Sequence, residues 1–155
     1  MNRKQMRAMP CPVARALSVV GDRWTLLILR EAFMGVRRFE RFQQRLAVAR
    51  NILTRRLQDL VEEGILQKSR YQEKPDRYEY FLTGKGSDLY PAMVTLMGWG
   101  DRWMADPAGP SVVLMHKSCE HASSPVLTCS HCARPIGLGD VYVQANPSVT
   151  SRTAS

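Results

Sequence analysis

The sequence predicts a mainly α (α+β) domain whose helices lead into one β-hairpin, followed by a small β-rich segment. Three observations predict this class: helical spacing of apolar residues over 14–63, strand-like alternation over 65–82, and a change of composition near residue 107. The chain has 155 residues, of which 45% are hydrophobic and 23% charged. This composition is that of a globular protein and excludes a disordered or collagen-like chain.

Four helices are predicted before Gly64, because apolar residues recur every three to four positions. Asp22 is a suitable N-cap for the second helix. Gly35 and Gly64 suit the ends of the second and fourth helices. The predicted helices span 14–20, 22–34, 39–46 and 51–63.

The pattern after Gly64 is that of a β-hairpin. Residues 65–71 and 77–82 are predicted strands, and the polar stretch 72–76 is the loop between them. A last long helix is predicted over 87–104, with a broad apolar stripe.

Two helices joined by a short turn and followed by a hairpin form a winged helix-turn-helix domain. The fourth helix has an apolar side for docking and a polar side whose Asn and Arg residues suit adenine and guanine edges in the major groove. Cations at the hairpin tip suit flanking phosphates or the minor groove. The predicted DNA-contacting residues are Arg50, Asn51, Thr54, Arg55, Arg56, Lys74 and Arg77.

The charge agrees with a nucleic-acid partner. The net charge is +8, and residues 1–106 carry +7 of it. A charged face on a single helix is more often only a solvated surface. The agreement of charge, helix spacing, polar face and wing favours double-stranded DNA.

A set of motifs over about residues 10–105 is specific in combination. It comprises Cys11-Pro12-Val13, Gly21-Asp22-Arg23-Trp24, Phe39, the LxxLxxxG end of the fourth helix, Tyr80-x-Leu82-Thr83-x-x-Gly86 and Trp99. The set resembles the HxlR family of bacterial transcriptional regulators, whose fold is similar to MarR-type winged helices. The resemblance implies a homodimer on a pseudo-palindromic operator, repression or activation of nearby genes, frequent response to small molecules or oxidants, and no catalysis.

The predicted helix 87–104 independently suggests a dimer, since its apolar stripe is wider than a small core needs. The alternative is that this stripe packs only within its own subunit. In a dimer, the two recognition helices would lie roughly 34 Å apart, one turn of DNA. We expect a repressor.

Cys11 has two interpretations. The resemblance makes it a candidate redox sensor near the dimer interface, which requires an accessible thiolate. The alternative is a small, half-buried apolar residue.

A Pro- and Gly-rich stretch divides the chain. We predict a DNA-binding and dimerisation domain over 10–106, a linker over 107–110, a Cys/His extension over 111–146 and a frayed tail over 147–155. The extension has strand-like stretches at 111–115, 126–128 and 141–143, and we find no internal repeat in the sequence.

The extension has the HxxC…CxxC spacing of a zinc knuckle. The candidate ligands of a structural zinc ion are His116, Cys119, Cys129 and Cys132, with His121 or His131 as substitutes for His116. The alternatives are a metal-free hairpin and a Cys129/Cys132 redox pair. DNA binding itself needs no cofactor.

Two other functions stay open at this point: a thiol redox protein using Cys129 and Cys132, and a protein-interaction adaptor. The sequence has neither a signal peptide nor a membrane span, so we expect a cytoplasmic protein.

Overall fold

The structure is a computed structural model that describes residues 1–110 and 112–144. The chain divides into two compact units, Met1–Met97 and Gly98–Ser155. In chain order, the elements are α1 (Arg3–Ala8), α2 (Pro12–Val20), α3 (Arg23–Phe33), α4 (Phe39–Leu46), α5 (Arg50–Glu62), β1 (Leu66–Glu73), β2 (Asp76–Leu82), α6 (Gly84–Ser87), α7 (Tyr90–Trp103), β3 (Met115–His116) and β4 (His121–Ala122). The predicted fold class is confirmed.

Helix α3 is the centre of the first unit and packs against α2, α4, α5 and β2. The Asp22 carboxylate accepts hydrogen bonds from the backbone N–H groups of Trp24 (3.0 Å) and Thr25 (3.3 Å), which confirms the predicted N-cap. The helix ends before Gly35, whose φ of 85° is left-handed and open to glycine without strain.

The core of the first unit lies between α3, α4, α5 and the start of β1. Burying these side chains is the main source of the stability of the unit. The fully or almost fully buried apolar residues are Ile28, Leu29, Phe42, Val48, Leu53, Leu57, Leu60, Ile65 and Leu66.

One carboxylate lies inside this core. Glu31 on α3 is 1% exposed and accepts hydrogen bonds from Arg30 and from Arg45 on α4. A buried charge must be paired, and this pair joins α3 to α4.

The helix-turn-helix consists of α4 and α5. The chain turns between them through Ala47, which is left-handed (φ 48°), and Val48, which is buried. Prediction placed α4 correctly at both ends, and it placed α5 one residue too late.

The hairpin is antiparallel, with Leu66 opposite Leu82 and Glu73 opposite Asp76. Its strands run further than predicted, so only Lys74 and Pro75 lie between them. The rings of Phe42 and Tyr80 pack edge to face with centroids 6.5 Å apart, which fixes the hairpin to the helix-turn-helix.

Helix α1 was not predicted. It has no buried residue, and it is held to α5 by ion pairs from Arg3 to Asp59 (2.9 Å) and from Arg7 to Glu63. A capping box between Asn2 and Gln5 starts the helix, and the ion pairs place it beside α5.

The last helix, predicted over 87–104, is confirmed as α7, but it begins three residues later, at Tyr90, and the short α6 ends at Ser87. Pro91 explains the break: it has no N–H to donate to Ser87, four residues earlier, and its ring clashes with that carbonyl. Gly86 in α6 is required by space, because a Cβ there would lie 2.2 Å from the carbonyl oxygen of Ile65.

The second unit has less regular structure than predicted. Among its described residues, the strands are the two-residue β3 and β4, and Thr128 forms an isolated bridge with Pro135. Residues 141–143 form no strand, so that prediction is wrong. Within 112–144 no residue is buried. Ser111 and the predicted tail 147–155 lie outside the described residues.

No helix in the described part of the chain is both long and apolar enough to cross a membrane.

Candidate nucleic-acid interface

Helix α5 separates its side chains into a buried side and an exposed side. Leu53, Leu57 and Leu60 are at most 1% exposed. The opposite side is open to solvent and carries four of the predicted DNA contacts. These are Arg50, Asn51, Thr54 and Arg55.

Local contacts order the start of this exposed side. The Arg50 guanidinium lies over the Phe39 ring, 4.9 Å from its centroid, and joins the first turns of α4 and α5. The Thr54 hydroxyl donates to the Arg50 carbonyl at 2.8 Å. Asn51 and Arg55 have no side-chain hydrogen bond or ion pair among residues 1–110 and 112–144, so their polar groups face solvent.

Arg56 has a different position. Its guanidinium pairs with Asp22 at 2.9 Å and with Asp59 at 3.1 Å, and the side chain is 19% exposed. Asp22 also caps α3, so Arg56 fixes the angle of α5 to α3. Arg56 therefore has a positioning role in the fold, and its predicted DNA contact stays a prediction.

The hairpin tip exposes the two cations that the sequence singled out, Lys74 and Arg77. The carboxylates beside them face another residue: Arg70 pairs with Asp76 at 3.2 Å and with Glu73 at 3.7 Å. No described carboxylate pairs with Lys74 or Arg77, so both keep their charge available to a partner.

A basic groove of about 720 Å³ at the start of α4 was missed by sequence reasoning. Arg38 in the groove pairs with Glu79 at 2.8 Å, and this hydrogen bond raises the pKa of Arg38. Arg37 lies over the Phe81 ring (4.8 Å), and Arg41 bonds Gln44 (3.1 Å), so neither of these arginines pairs with a carboxylate of the described chain. The Arg37-Arg38 pair just before a helix-turn-helix was the available signal.

Cys11 is half-buried and is the N-cap residue of α2, at the junction with α1. Arg7, four residues before it in the sequence, forms an ion pair with Glu63.

The four candidate metal ligands lie in two pairs. His116 Nδ1 is 3.3 Å from Cys119 Sγ. The Cys129 sulfur accepts hydrogen bonds from the backbone N–H groups of Cys132 and His131 and from the Cys132 thiol, which lower the pKa of Cys129. No group of three or more His, Cys, Asp or Glu side chains in the described part of the chain is close enough to share a metal ion.

A helix-turn-helix with an exposed polar helix and a basic hairpin defines a winged helix-turn-helix protein. Residues 19–107 match the HxlR-like helix-turn-helix family. The chain belongs to the HxlR family of transcriptional regulators.

Similar proteins agree with this assignment. The chain is 45% identical over 143 residues to the uncharacterised HTH-type transcriptional regulator Rv3095 of Mycobacterium tuberculosis, covering 92% of this chain and 90% of the relative. It superposes on PA1607, a transcription-factor candidate, with a TM-score of 0.82 and 34% identity, over 92% of this chain and 99% of the other. The redox regulator HypR in its reduced form matches with a TM-score of 0.56 and 29% identity, over 59% of this chain and 92% of the HypR chain. These are regulators, not enzymes.

Proposed function

We propose that the chain is a homodimeric regulator that binds one specific double-stranded operator through α5 and the β1–β2 hairpin. The observation that carries this proposal is the division of α5. Its leucines are fully buried, so its pose is fixed, while Arg50, Asn51, Thr54 and Arg55 are exposed beside them. Asn and Arg are the residues that make bidentate contacts to adenine and guanine.

Two further groups of cations would contact phosphates. Lys74 and Arg77 project from the hairpin, and Arg37 and Arg41 line the groove at the start of α4. Contacts to phosphate fix the register on the duplex and supply affinity that does not depend on sequence.

A second copy of the chain would cover apolar side chains of α2 and α7. In the first unit, Val13 is 65% exposed, Leu17 47% and Leu96 50%. Exposed apolar residues grouped on two helices favour a protein interface. A two-fold dimer would present two recognition helices to the two halves of a pseudo-palindromic operator.

We further propose that the regulator acts as a repressor whose operator affinity responds to oxidants through Cys11. A dimer on an operator near a promoter excludes RNA polymerase by occupying the DNA. Cys11 lies at the α1–α2 junction, and α1 forms two ion pairs with residues at the end of α5. Oxidation of this thiol would therefore move α1 and, through the ion pairs, the recognition helix α5. The similarity to HypR, a redox regulator, supports the proposed response to oxidants.

An electrophoretic mobility shift on the DNA upstream of the gene for this chain tests the proposal. We expect a shift that survives excess nonspecific competitor and weakens steeply between two salt concentrations. A folded protein that shifts no duplex selectively, with or without oxidant, would contradict it. A promoter–reporter fusion in a deletion strain then tests repression, for which we expect higher reporter output.

A further inference from the structure

The segment 113–137 contains a repeat, contrary to the expectation from the sequence. The first copy is Val113-Leu114-Met115-His116-Lys117-Ser118-Cys119, and the second is Val126-Leu127-Thr128-Cys129-Ser130-His131-Cys132. The copies are offset by 13 positions, from 116 to 129. Val, Leu and the last Cys are identical, and the fourth position is His in one copy and Cys in the other.

The backbone repeats with the sequence. In the first copy, the Ser123 N–H donates to the Leu114 carbonyl at 2.8 Å. In the second copy, the Ile136 N–H donates to the Leu127 carbonyl, also at 2.8 Å. The same offset of 13 relates both donors and both acceptors, so each copy is a tight hairpin closed at the same place.

The turns inside the two hairpins also match. The Glu120 N–H donates to the His116 carbonyl at 2.7 Å, and the Ala133 N–H donates to the Cys129 carbonyl at 2.8 Å. Glu120 and Ala133 both have left-handed backbone conformations, with φ of 56° and 57°. A left-handed residue is uncommon outside glycine. Finding it at the same place in both copies shows that one turn geometry has been built twice.

Each turn brings two ligand-type side chains together. In the first turn, His116 Nδ1 and Cys119 Sγ are 3.3 Å apart. In the second, Cys129 and Cys132 occupy the two equivalent positions of a turn closed by the Ala133 N–H on the Cys129 carbonyl. A nitrogen and a sulfur bound to the same tetrahedral zinc ion are about 3.6 Å apart, from bond lengths of about 2.05 and 2.3 Å.

The hairpins have no core to hold them. Within 112–144 no described residue is buried, and Met115, Val126 and Leu127 are 58%, 67% and 68% exposed. A small segment without a core needs another source of folding free energy, and a structural metal ion is a common one.

We propose that the two hairpins together bind one structural zinc ion, with His116 and Cys119 as ligands from the first and Cys129 and Cys132 from the second. Three thiolates and one imidazole form a soft tetrahedral set of the kind that selects Zn²⁺. The three thiols release their protons to solvent as the ion binds. The structure shows the two pairs separately, so the ion would draw the hairpins onto a common centre. This site goes beyond the proposed function, and its test is independent of DNA binding.

Aligning the two copies of the repeat also distinguishes the ligand histidine from the other two. His116 occupies the position of Cys129, whereas His131 occupies that of Ser118 and His121 that of Arg134. His121 and His131 are therefore matched controls rather than ligands.

Metal content of the full-length, tag-free protein, purified without chelator, tests the proposal. We expect one zinc per chain by mass spectrometry, and near-complete loss in Cys119→Ser and in Cys132→Ser, one variant for each hairpin. His116→Ala should lose most of the zinc, while His121→Ala and His131→Ala keep it. Cobalt in place of zinc should give the visible absorption of a tetrahedral thiolate site.

The wild-type protein provides a second test that needs no variant. A mercurial reagent should release the zinc in step with modification of the three ligand thiols, whereas Cys11, the fourth thiol of the chain, should react without releasing zinc. Wild-type protein that stays metal-free after refolding with zinc would overturn the proposal, as would equal loss of zinc in the His121 and His131 controls. Metal-free protein in which only two of the four cysteines react as free thiols would also overturn the proposal and would indicate a Cys129–Cys132 disulfide. Far-UV circular dichroism of each variant confirms that the helical unit is folded.

Discussion

Asn51 and Arg55 lie within one turn of each other on α5 and have no structural role in the described fold. Their neighbours Leu53 and Leu57 hold the helix, so removing the polar groups leaves the fold intact. We predict that Asn51→Ala and Arg55→Ala each weaken operator binding by about 1–3 kcal/mol, the value of a bidentate base contact. Fluorescence anisotropy on the operator and on a scrambled duplex measures the change, which should be confined to the operator.

Gln58→Ala is the matched control for these variants. Gln58 is exposed on the same helix, but its side chain donates to Glu62 at 2.9 Å. Its operator affinity should equal that of wild type. If the control loses as much as Asn51→Ala, the first turns of α5 do not read the bases.

Cys11 is the second residue whose role can be isolated. Peroxide oxidises an accessible thiolate to a sulfenic acid, which a thiol reductant reverses. We predict that peroxide lowers the operator affinity of the wild type, that reductant restores it, and that Cys11→Ser binds normally but ignores peroxide. A mobility shift before and after oxidation measures this. A response that persists in Cys11→Ser would remove Cys11 as the sensor.

At the scale of elements, the sequence predicted those helices correctly whose apolar side packs on the core. Helix α4 and the body of α5 follow from apolar spacing alone, because burial of that spacing determines them. Prediction failed where partners are distant in sequence. The position of helix α1 depends on Asp59 and Glu63, 56 positions away, and no local pattern contains that information. The existence of the helix has a local signal, the Asn2–Gln5 capping box, which was overlooked.

The candidate site shows the same limit. The exposed side of α5 and the hairpin cations were predictable from spacing. The pairing of Arg56 with Asp22, 34 positions away, was not, and neither was the freedom of Arg37 and Arg41 from carboxylates. The sequence gives the number of cations, but only the structure shows which of them form ion pairs with carboxylates of the same chain.

The β1–β2 hairpin is the element whose contribution should be electrostatic. Lys74→Ala and Arg77→Ala should weaken specific and nonspecific DNA alike, and each should reduce the slope of log affinity against log salt by about one. Anisotropy titrations over a range of salt concentrations measure the slope. Lys117→Ala, an exposed cation of the second unit, is the control and should leave the slope unchanged. A hairpin variant that alters base preference but not the slope would contradict a phosphate-contacting wing.

At the scale of the whole molecule, the central expectation is self-association. Leu17 on α2 and Leu96 on α7 are about half exposed in one copy. We predict that Leu17→Glu and Leu96→Glu shift the protein from dimer to monomer, because a buried unpaired carboxylate at an interface is costly. Size-exclusion chromatography with light scattering measures the mass, and operator affinity should fall with it.

Met34→Glu is the control for this pair. Met34 is also apolar and half exposed, at 51%, but it lies in the turn after α3 rather than on α2 or α7. It should keep the mass of the wild type. A wild type that is monomeric at micromolar concentration, or Leu variants that stay dimeric, would contradict the proposed interface.

The separation of buried and exposed residues on α5 has a practical consequence for engineering. The inner leucines and the Arg56–Asp22 pair fix the helix on its scaffold, and the outer residues make no tertiary contact with carboxylates of the described chain. Specificity and folding are therefore encoded by separate positions of the same helix. Residues 51 and 55 can be randomised as a library to retarget the protein to new promoters, while Arg50 is kept because its contact with the Phe39 ring joins α4 to α5.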